Sequence, residues 1–251
     1  MPTNANRTFP ADETAPTPQS LIGAMLPFLR AGEFEPGSRL PSERDLAERF
    51  AVSRNTLREA LTTLEAMRVI ERRPQSGIYL RDAASEASLD TLVLEADYDL
   101  PMTADHVREL NEFRSIIELQ AISLACDRGS AAQLAAIDAV LDTTRLRLAA
   151  GCSVAEQDAA FHLAIFAAAN NQFLLRAANS FYLASRRRRE RFFADPDNGR
   201  RSFAQHCKLR DAIDKRDRLA ARKLLGRHLG SVERYWLSTL PQPESTKRTA
   251  R

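Results

Sequence analysis

The sequence predicts a mostly α-helical protein with an N-terminal winged helix-turn-helix followed by an antiparallel all-α helical bundle. Three observations predict this fold. Residues 36–80 contain two short helical patterns and then two strand-like runs. From residue 89 onward, apolar residues recur at helical spacing and no alternating β pattern appears. At 251 residues, the chain is long enough for two domains with separate cores.

The elements of the N-terminal motif follow one another closely. A first helix is predicted from roughly Ser42 to Phe50, and Pro41 opens it at a first-turn position, where a missing N–H costs nothing. Ser53 is a good N-cap for a second helix. Four residues of that helix form one apolar stripe: Leu57, Ala60, Leu61 and Leu64. Two short strands around a turn at 74–77 then predict a wing within Val69 to Arg81.

The second helix also carries a polar face near its N-terminus, and the chemistry of that face suits DNA. Arg54 and Arg58 lie one turn apart, with Asn55 beside them. Arginine can reach guanine O6 and N7, asparagine can pair with adenine, and a helix N-terminus favours phosphate. Two arginines at this spacing can also be only a solvated helix face. Because the segment has a helix, a turn, a second helix and a wing in order, we favour the interpretation that the second helix reads DNA.

This segment resembles the DNA-binding domain of the GntR family of bacterial transcription regulators. PSERDLAERF, VSRNTLREAL and QSGIYL each match that domain. The resemblance implies that five residues grip DNA: Arg44, Arg54, Arg58, Ser76 and Gly77. It also implies that Asn55 and Thr56 hold places that vary between members and tune which sequence is read. The expected partner is therefore double-stranded DNA.

Bulk charge would not indicate DNA binding. The chain has a formal net charge of +3. Between Leu21 and Asp82 there are ten arginines, no lysine and nine acidic residues, so this segment carries only +1. Affinity for DNA must therefore come from where the arginines lie, and we expect a salt-dependent specific complex.

Composition sets the remaining bounds. The three cysteines are an odd number without metal-type spacing, which predicts buried thiols in a reducing cytoplasm. No apolar run is long enough to span a membrane, and no signal peptide is apparent, so a cytoplasmic protein is expected. The predicted organisation is a disordered tail at 1–17, a DNA-binding domain at 18–81, a linker at 82–88, a helical domain at 89–240 and a second disordered tail at 241–251.

Residues that stop or cap helices predict the order of the bundle. Two sequences have the spacing of a capping box: Ser130 with Gln133, and Ser153 with Glu156. Helices are predicted at 107–127, from 130 to about 150, from 153 to about 170, and from 172 to 193. The sequence DPDNG at 195–199 is predicted to be a loop. Two further helices flank a short turn at 215–217.

Four polar residues of the bundle are predicted to converge. Asp158 and His162 are spaced i,i+4, so both project from the same side of one helix. His206 and His228 each lie eleven residues from Asp217, which places the two imidazoles at the same height in an antiparallel hairpin. One carboxylate and three imidazoles suit a divalent ion such as zinc, nickel or manganese.

Each of these residues also has a simpler interpretation, as a core histidine or as an Asp–His hydrogen bond. Together, however, DAAFH and QHCKLRDAIDKRDRLAARKLLGRHL resemble the all-helical, ligand-sensing FCD-type domain of the FadR branch of the GntR family. The resemblance implies that Asp158, His162, His206 and His228 bind a metal. Gln205 departs from the pattern, because this subfamily usually has glutamate before the histidine.

The expected effector is a small carboxylate or sugar acid. Arg114, in the pattern Arg114-x-x-x-Glu118, matches an arginine that many relatives point at such a ligand, although an i,i+4 surface pair is the alternative. At least one of the five arginines at 186–191 should face inward, and the sequence does not say which. Asn170 is more often a helix-ending residue than a donor in a pocket.

Together these features predict a homodimeric regulator that reads a palindromic operator and is controlled by its effector. In this family, the commoner form of control is repression that ligand binding relieves. A metal-dependent hydrolase is the rival, but the chain offers no separate general base and no nucleophile motif, so we expect no enzyme. A regulator that senses the ion itself and a purely structural metal are further alternatives.

Overall fold

The structure is a computed structural model that describes residues 16–98 and 100–239. Apart from residues 16 and 17, the tails predicted at 1–17 and 241–251 lie outside this range. The chain forms two compact units, the first ending at Leu100 and the second beginning at Pro101.

The first unit contains five helices and a two-stranded sheet among its described residues. Thr17 caps the first helix through its hydroxyl, which accepts a hydrogen bond from the Ser20 N–H. The elements in order are α1 (Pro18–Arg30), α2 (Glu43–Arg49), α3 (Arg54–Ala66), β1 (Ile70–Arg73), β2 (Gly77–Leu80), α4 (Ala83–Glu86) and α5 (Leu89–Asp97).

Helices α2 and α3 form the predicted helix-turn-helix. Ser53 is the N-cap of α3, as predicted, and the four residues of the apolar stripe are fully buried. The prediction for Pro41 was wrong. Ser42 is the N-cap of α2, and its hydroxyl accepts from the Asp45 N–H, so Pro41 precedes the helix instead of opening it. Phe50, the last residue of the predicted helix, is the C-cap of α2 and is half-buried.

Strands β1 and β2 form the predicted wing. They pair in antiparallel register, with Ile70 opposite Leu80 and Arg73 opposite Gly77. Arg39 adds an isolated bridge to Tyr79. Gly77 has a φ of +130°, which favours glycine, and a Cβ at this position would lie 2.8 Å from the Arg39 Nε, so the Arg39 side chain would have to shift.

The boundary between the units lies later than the linker that the sequence predicts at 82–88. That segment contains the short helix α4, and α5 belongs to the first unit. The reason is packing, because Leu94 and Tyr98 contact the apolar core of the first unit. The Thr91 hydroxyl also donates to the Met67 carbonyl at 3.0 Å.

The second unit is entirely helical in its described residues. None of the described helices has the length and apolar content needed to cross a membrane. The elements in order are α6 (Ala104–Arg128), α7 (Ala131–Ala149), α8 (Ala155–Ala168), α9 (Gln172–Ala184), α10 (Arg186–Phe192), α11 (Pro196–Asp214) and α12 (Arg218–Thr239).

Helices α6, α7, α8, α11 and α12 pack around one apolar core. Helix α6 contacts α8 and α12, and α11 contacts both α7 and α12. Fully buried Ile122, Phe161, Leu209 and Leu225 come from four of these helices. Helices α11 and α12 form the predicted hairpin, joined by the turn at 215–217. The predicted capping box of Ser130 and Gln133 is present at the start of α7.

Two predicted features of the middle helices were wrong. Ser153 and Glu156 form no capping box, because α8 begins later with Val154 as its N-cap, and the Ser153 hydroxyl accepts from the Ala155 N–H at 3.4 Å instead. The single helix predicted at 172–193 is two helices that meet at Ser185.

The stretch DPDNG is not the predicted loop. Asp195 is the N-cap of α11, its carboxylate accepting from the Asp197 N–H at 2.9 Å, and Pro196 occupies the first turn. Asn198 is buried and donates to the Phe192 carbonyl at 2.7 Å. A cap, a first-turn proline and a buried hydrogen bond thus start a helix in a sequence with the composition of a turn.

The cysteines are all free, but they do not share one environment. Cys126 is buried, as predicted, and Cys207 is half-buried. Cys152 is exposed, so the expectation of a buried thiol was wrong there. It follows Gly151, which has a φ of +68° and stands at the exposed turn between α7 and α8.

The N-cap role of Asp195 can be tested by substitution. We expect Asp195→Ala to lower the free energy of unfolding by about 1 kcal/mol, because the first N–H groups of α11 lose their acceptor. Urea unfolding can be followed by the fluorescence of Trp236, the only tryptophan in the chain. Asp195→Asn keeps an acceptor and is the matched control. Equal stability of all three proteins would mean that this stretch is a loop.

Candidate functional site

The polar face of α3 is open to solvent at the N-terminus of the helix. Arg54, Asn55 and Arg58 are exposed. The Arg58 Nε lies 2.9 Å from a Glu43 carboxylate oxygen of α2, in a pair that is largely exposed. Exposed pairs of this kind contribute little stability, so Arg58 can exchange Glu43 for another acceptor.

The other residues assigned to DNA differ in their exposure. The Arg44 side chain is 76% exposed and lies 3.5 Å from the Asp45 carboxylate. Thr56 is half-buried and takes part in the cap of α3, with its Oγ1 2.8 Å from the Ser53 Oγ. It is therefore less available than Arg44.

In the wing, Ser76 is half-buried and its hydroxyl lies 2.7 Å from the Tyr79 hydroxyl. Gly77 faces the guanidinium of Arg39, and the Arg73 guanidinium lies 4.2 Å from the centre of the Tyr79 ring. Sequence reasoning missed Arg39 and Arg73 at the wing; Arg39 is exposed, and the Arg73 Nη2 is paired with a Glu71 carboxylate oxygen at 2.9 Å. The strand pattern around Gly77 could have placed Arg73 in the wing. Arg39 is far from the wing in sequence and lies beside it because of its backbone bridge to Tyr79.

The four predicted metal ligands meet in the second unit, where they form what we call the Asp/His cluster: Asp158 and His162 from α8, His206 from α11 and His228 from α12. All four residues are buried, and one ligand atom from each lies within 4.8 Å of the others. The His206 Nε2 is 3.4 Å from the His228 Nε2 and 3.5 Å from an Asp158 oxygen. The His162 Nε2 is 3.9 Å from the same oxygen.

Neighbouring side chains hold the imidazoles in orientation. The Phe161 ring stacks on His206, with centroids 3.9 Å apart and planes inclined by 8°. The Ser202 hydroxyl donates to Asp158 at 3.1 Å and lies 3.3 Å from the His206 Nε2. The His228 Nδ1 lies 2.6 Å from the Gln205 amide oxygen, so a proton on Nδ1 leaves Nε2 free to face the cluster.

The donor set fits a divalent ion. Burial, together with the charges of His228, His162 and Arg114, holds the pKa of His206 well below its usual value. Burial and the charges of His162 and Arg114 do the same for the pKa of His228. Both rings are therefore neutral near pH 7, which is the form that binds a metal.

Arg114 and Glu118 are a buried pair, so the surface-pair alternative was wrong. The Arg114 Nε donates to a Glu118 oxygen at 2.6 Å, and the Tyr182 hydroxyl donates to the same oxygen at 2.6 Å. The other Glu118 oxygen lies 2.6 Å from the His162 Nδ1, within ion-pair distance. The Arg114 Nη2 lies 3.5 Å from the His162 Nε2. Glu118 thus links Arg114 to the Asp/His cluster.

Electrostatics keep Glu118 ionised. Burial opposes ionisation, but the charges of His162 and Arg114 and the hydrogen bond from Tyr182 hold the pKa of Glu118 far below its usual range. Burial and the Glu118 charge raise the pKa of the Tyr182 hydroxyl, which stays protonated and donates. Sequence reasoning missed Tyr182, which comes from α9, and Ser202, whose i,i+4 spacing from His206 on α11 was an available local signal.

A cleft opens beside the Asp/His cluster. Its polar lining, which defines the arginine cleft, consists of Arg114, Asp158, Arg188 and Arg189 together with Asn111 and Ser185. Aromatic side chains, including Phe181 and Trp236, form the rest of its wall.

The structure identifies the inward-facing arginines of the run at 186–191. Arg188 and Arg189 are partly buried and line the arginine cleft, whereas the other three are exposed. Asn170 lies elsewhere, with a φ of +51° and its side chain hydrogen-bonded to Gln133 and to the Arg128 carbonyl. It ends α8, as expected.

Comparisons with known proteins agree with this division. The family described as "Bacterial regulatory proteins, gntR family" matches residues 24–80, and the "FCD domain" matches residues 109–231. The HTH-type transcriptional regulator LutR of Bacillus subtilis (strain 168) is 30% identical over 211 residues, covering 82% of this chain and 94% of LutR. The galactonate operon transcriptional repressor of Escherichia coli (strain K12) is 30% identical over 195 residues, covering 76% and 83%.

A solved structure shares the fold. It is described as "Lar controls the expression of the Listeria monocytogenes agr system and mediates virulence", and it matches with a TM-score of 0.64. The match covers 92% of this chain and 100% of that chain, at 18% identity. At this identity the likeness shows the fold alone.

The low pKa values of His206 and His228 predict a pH dependence for the metal-free protein. In the unfolded chain both imidazoles bind a proton as the pH falls below about 6.5, whereas in the folded protein they stay neutral. Below that pH the unfolded state binds more protons than the folded state. The free energy of unfolding therefore decreases as the pH is lowered, by up to about 1.4 kcal/mol per pH unit for each histidine.

Urea unfolding of metal-free protein between pH 7.5 and 5.5, followed by Trp236 fluorescence, measures this slope. His206→Gln should reduce the slope, and substitution of the exposed His106 by glutamine should leave it unchanged. A slope that His206→Gln does not alter would mean that this imidazole binds protons equally in the folded and unfolded states.

Proposed function

Since the chain belongs to the GntR family of bacterial regulatory proteins, carries an FCD domain and is therefore a transcriptional regulator, we propose that a small hydroxy acid controls its binding to operator DNA. The relatives are regulators and not enzymes, which removes the hydrolase alternative. The observation that carries the proposal is the buried Asp/His cluster beside a cleft that is rich in arginine.

The four residues of the Asp/His cluster would hold a divalent ion, and zinc, nickel and manganese all suit these ligands. When bound, the ion offers open coordination positions to oxygen atoms of the effector. The residues around the cluster prepare for this role. Gln205 and Phe161 fix the rings of His228 and His206, and Ser202 orients the Asp158 carboxylate.

The charge of the arginine cleft favours an anionic effector. Three guanidinium groups (Arg114, Arg188 and Arg189) lie near two carboxylates (Asp158 and Glu118), so these five groups alone carry one excess positive charge before any ion binds. A divalent ion would increase this excess. One relative is named for a galactonate operon, and galactonate is a sugar acid, which supports a hydroxy-carboxylate as the ligand class.

The exposed arginines of α3 and the wing supply the contacts to DNA. A homodimer would present two such helices to the halves of a palindromic operator. The effector can change DNA affinity only as far as it binds one arrangement of the dimer better than the other. Because one relative is named a repressor, we propose repression that the effector relieves.

Arg58→Ala should weaken specific DNA binding by roughly 1–3 kcal/mol, because the arginine fork reads base edges. The measurement is a titration of the full chain with a DNA site that the wild type selects from a random library. Glu43→Gln is the matched control, since it removes the partner of Arg58 but keeps the arginine, and it should bind at least as tightly as the wild type. Unchanged binding by Arg58→Ala would remove α3 from the DNA contact.

The effector is tested by adding D-galactonate, D-gluconate or L-lactate to the zinc-loaded protein bound to its selected DNA. We expect at least one acid to lower DNA affinity about 5- to 150-fold, and galactitol, which lacks a carboxylate, to have no effect. His228→Ala should hold less than one ion per chain by elemental analysis and should lose the response.

Two outcomes would contradict this assignment. DNA binding that follows zinc concentration without any acid would indicate a regulator that senses the ion. An equal response to acid in chelated and zinc-loaded protein would remove the Asp/His cluster from effector binding.

A further inference from the structure

The three arginines of the arginine cleft differ in their ion-pair partners and in the acceptors of their hydrogen bonds. Arg114 is paired with Glu118 and also donates to the Tyr182 hydroxyl at 3.2 Å. Arg189 donates to the Tyr182 carbonyl and the Ser185 hydroxyl, each at 2.6 Å, and to the Ala155 carbonyl at 3.4 Å. Arg114 therefore has a carboxylate partner, whereas Arg189 is held by neutral oxygen atoms through Nε and Nη1.

Arg188 is the exception. Its hydrogen bond runs from Nη1 to the Met102 sulfur at 3.2 Å, and a thioether is a weak acceptor. Among residues 16–98 and 100–239, no carboxylate lies within ion-pair distance of Arg188. Burial and the charges of Arg114 and Arg189 lower the pKa of Arg188 to about 10, so it remains charged at neutral pH. A partly buried cation without an anionic partner lines a cleft beside the candidate metal ligands.

We propose that Arg188 binds the carboxylate group of the effector, and that Arg114 is a positioning residue which holds Glu118 and His162 in place. This inference rests on the proposed function and names the residue that recognises the acid. It differs from the expectation that the sequence gives for Arg114, because the charge of Arg114 is already balanced by Glu118.

The chemistry of the cleft fits this division of roles. A guanidinium presents two parallel N–H groups that match the two oxygens of a carboxylate, and a charge-assisted pair of this kind is far stronger than a bond to a thioether. The carboxylate would therefore displace Met102. It would also relieve the repulsion among Arg188, Arg114 and Arg189. The hydroxyl oxygens of the acid then remain for the side of the cleft formed by Asp158 and Asn111.

The run of arginines supplies a matched control. Arg187 precedes Arg188 on α10 and is exposed, so Arg187→Gln removes the same charge from the same helix outside the cleft. D-galactonate is titrated into zinc-loaded, full-length protein. The signal is the fluorescence of Trp236, which lines the arginine cleft. We expect Arg188→Gln to weaken D-galactonate binding at least 10-fold and Arg187→Gln to change it less than 3-fold.

Arg188→Met separates recognition from stability. An uncompensated buried charge costs free energy, so an apolar side chain of similar length should leave the thermal midpoint of the acid-free protein equal or higher, while D-galactonate binding is lost. A lower midpoint would mean that Arg188 stabilises the fold, and would overturn the assignment.

The remaining outcomes separate the two proposals. If D-galactonate binds the wild type and Arg188→Gln equally well, the role of Arg188 is wrong and the proposed function stands. If D-galactonate fails to bind the zinc-loaded wild type, this inference is overturned. If D-gluconate and L-lactate also fail to bind, the proposed function falls with it.

Discussion

The buried carboxylate of Glu118 is the interaction on which the second unit's site depends. It compensates Arg114, accepts from Tyr182 and lies against the back of His162, so one charge joins three helices and a ligand of the Asp/His cluster. Removing one partner of such a pair leaves a buried charge alone, at a cost of about 3–5 kcal/mol. The arrangement of Arg114 and His162 is therefore fixed before any ligand arrives.

The same kind of pair has a different role in the first unit. Arg58 and Glu43 are also an arginine and a glutamate in contact, but the Arg58 side chain is 61% exposed, against 8% for Arg114. Water weakens the exposed pair, so Arg58 can exchange Glu43 for another partner, which we propose is DNA. The low dielectric of the bundle strengthens the buried pair, and Arg114 stays where it is. Burial therefore separates the exchangeable Arg58–Glu43 pair from the fixed Arg114–Glu118 pair.

Local signals made much of this fold predictable. The cap at Ser53 and the apolar stripe after it depend only on neighbours in the chain, and the hairpin brings two histidines together because they are equidistant from its turn. The burial of Arg114 could not be predicted, since an i,i+4 pair has the same spacing inside and outside, and Tyr182 arrives from another helix. The turn-like composition of 195–199 led to the wrong prediction of a loop, because the Asn198 side chain donates to the buried Phe192 carbonyl at the start of α11.

The packing of the imidazoles has a consequence for response time. The His206 ring lies flat on Phe161, and the His228 ring is held by Gln205, so neither ring can turn away without breaking a contact in the core. Stepwise loss of an ion held by this cluster would require such turns, whereas the arginine cleft is lined by Arg188 and Arg189, which are only partly buried. If the proposed ion and acid bind as described, we therefore expect the ion to exchange more slowly than the acid. On the timescale of a change in nutrient supply, the ion would behave as a fixed part of the protein and the acid as its variable signal.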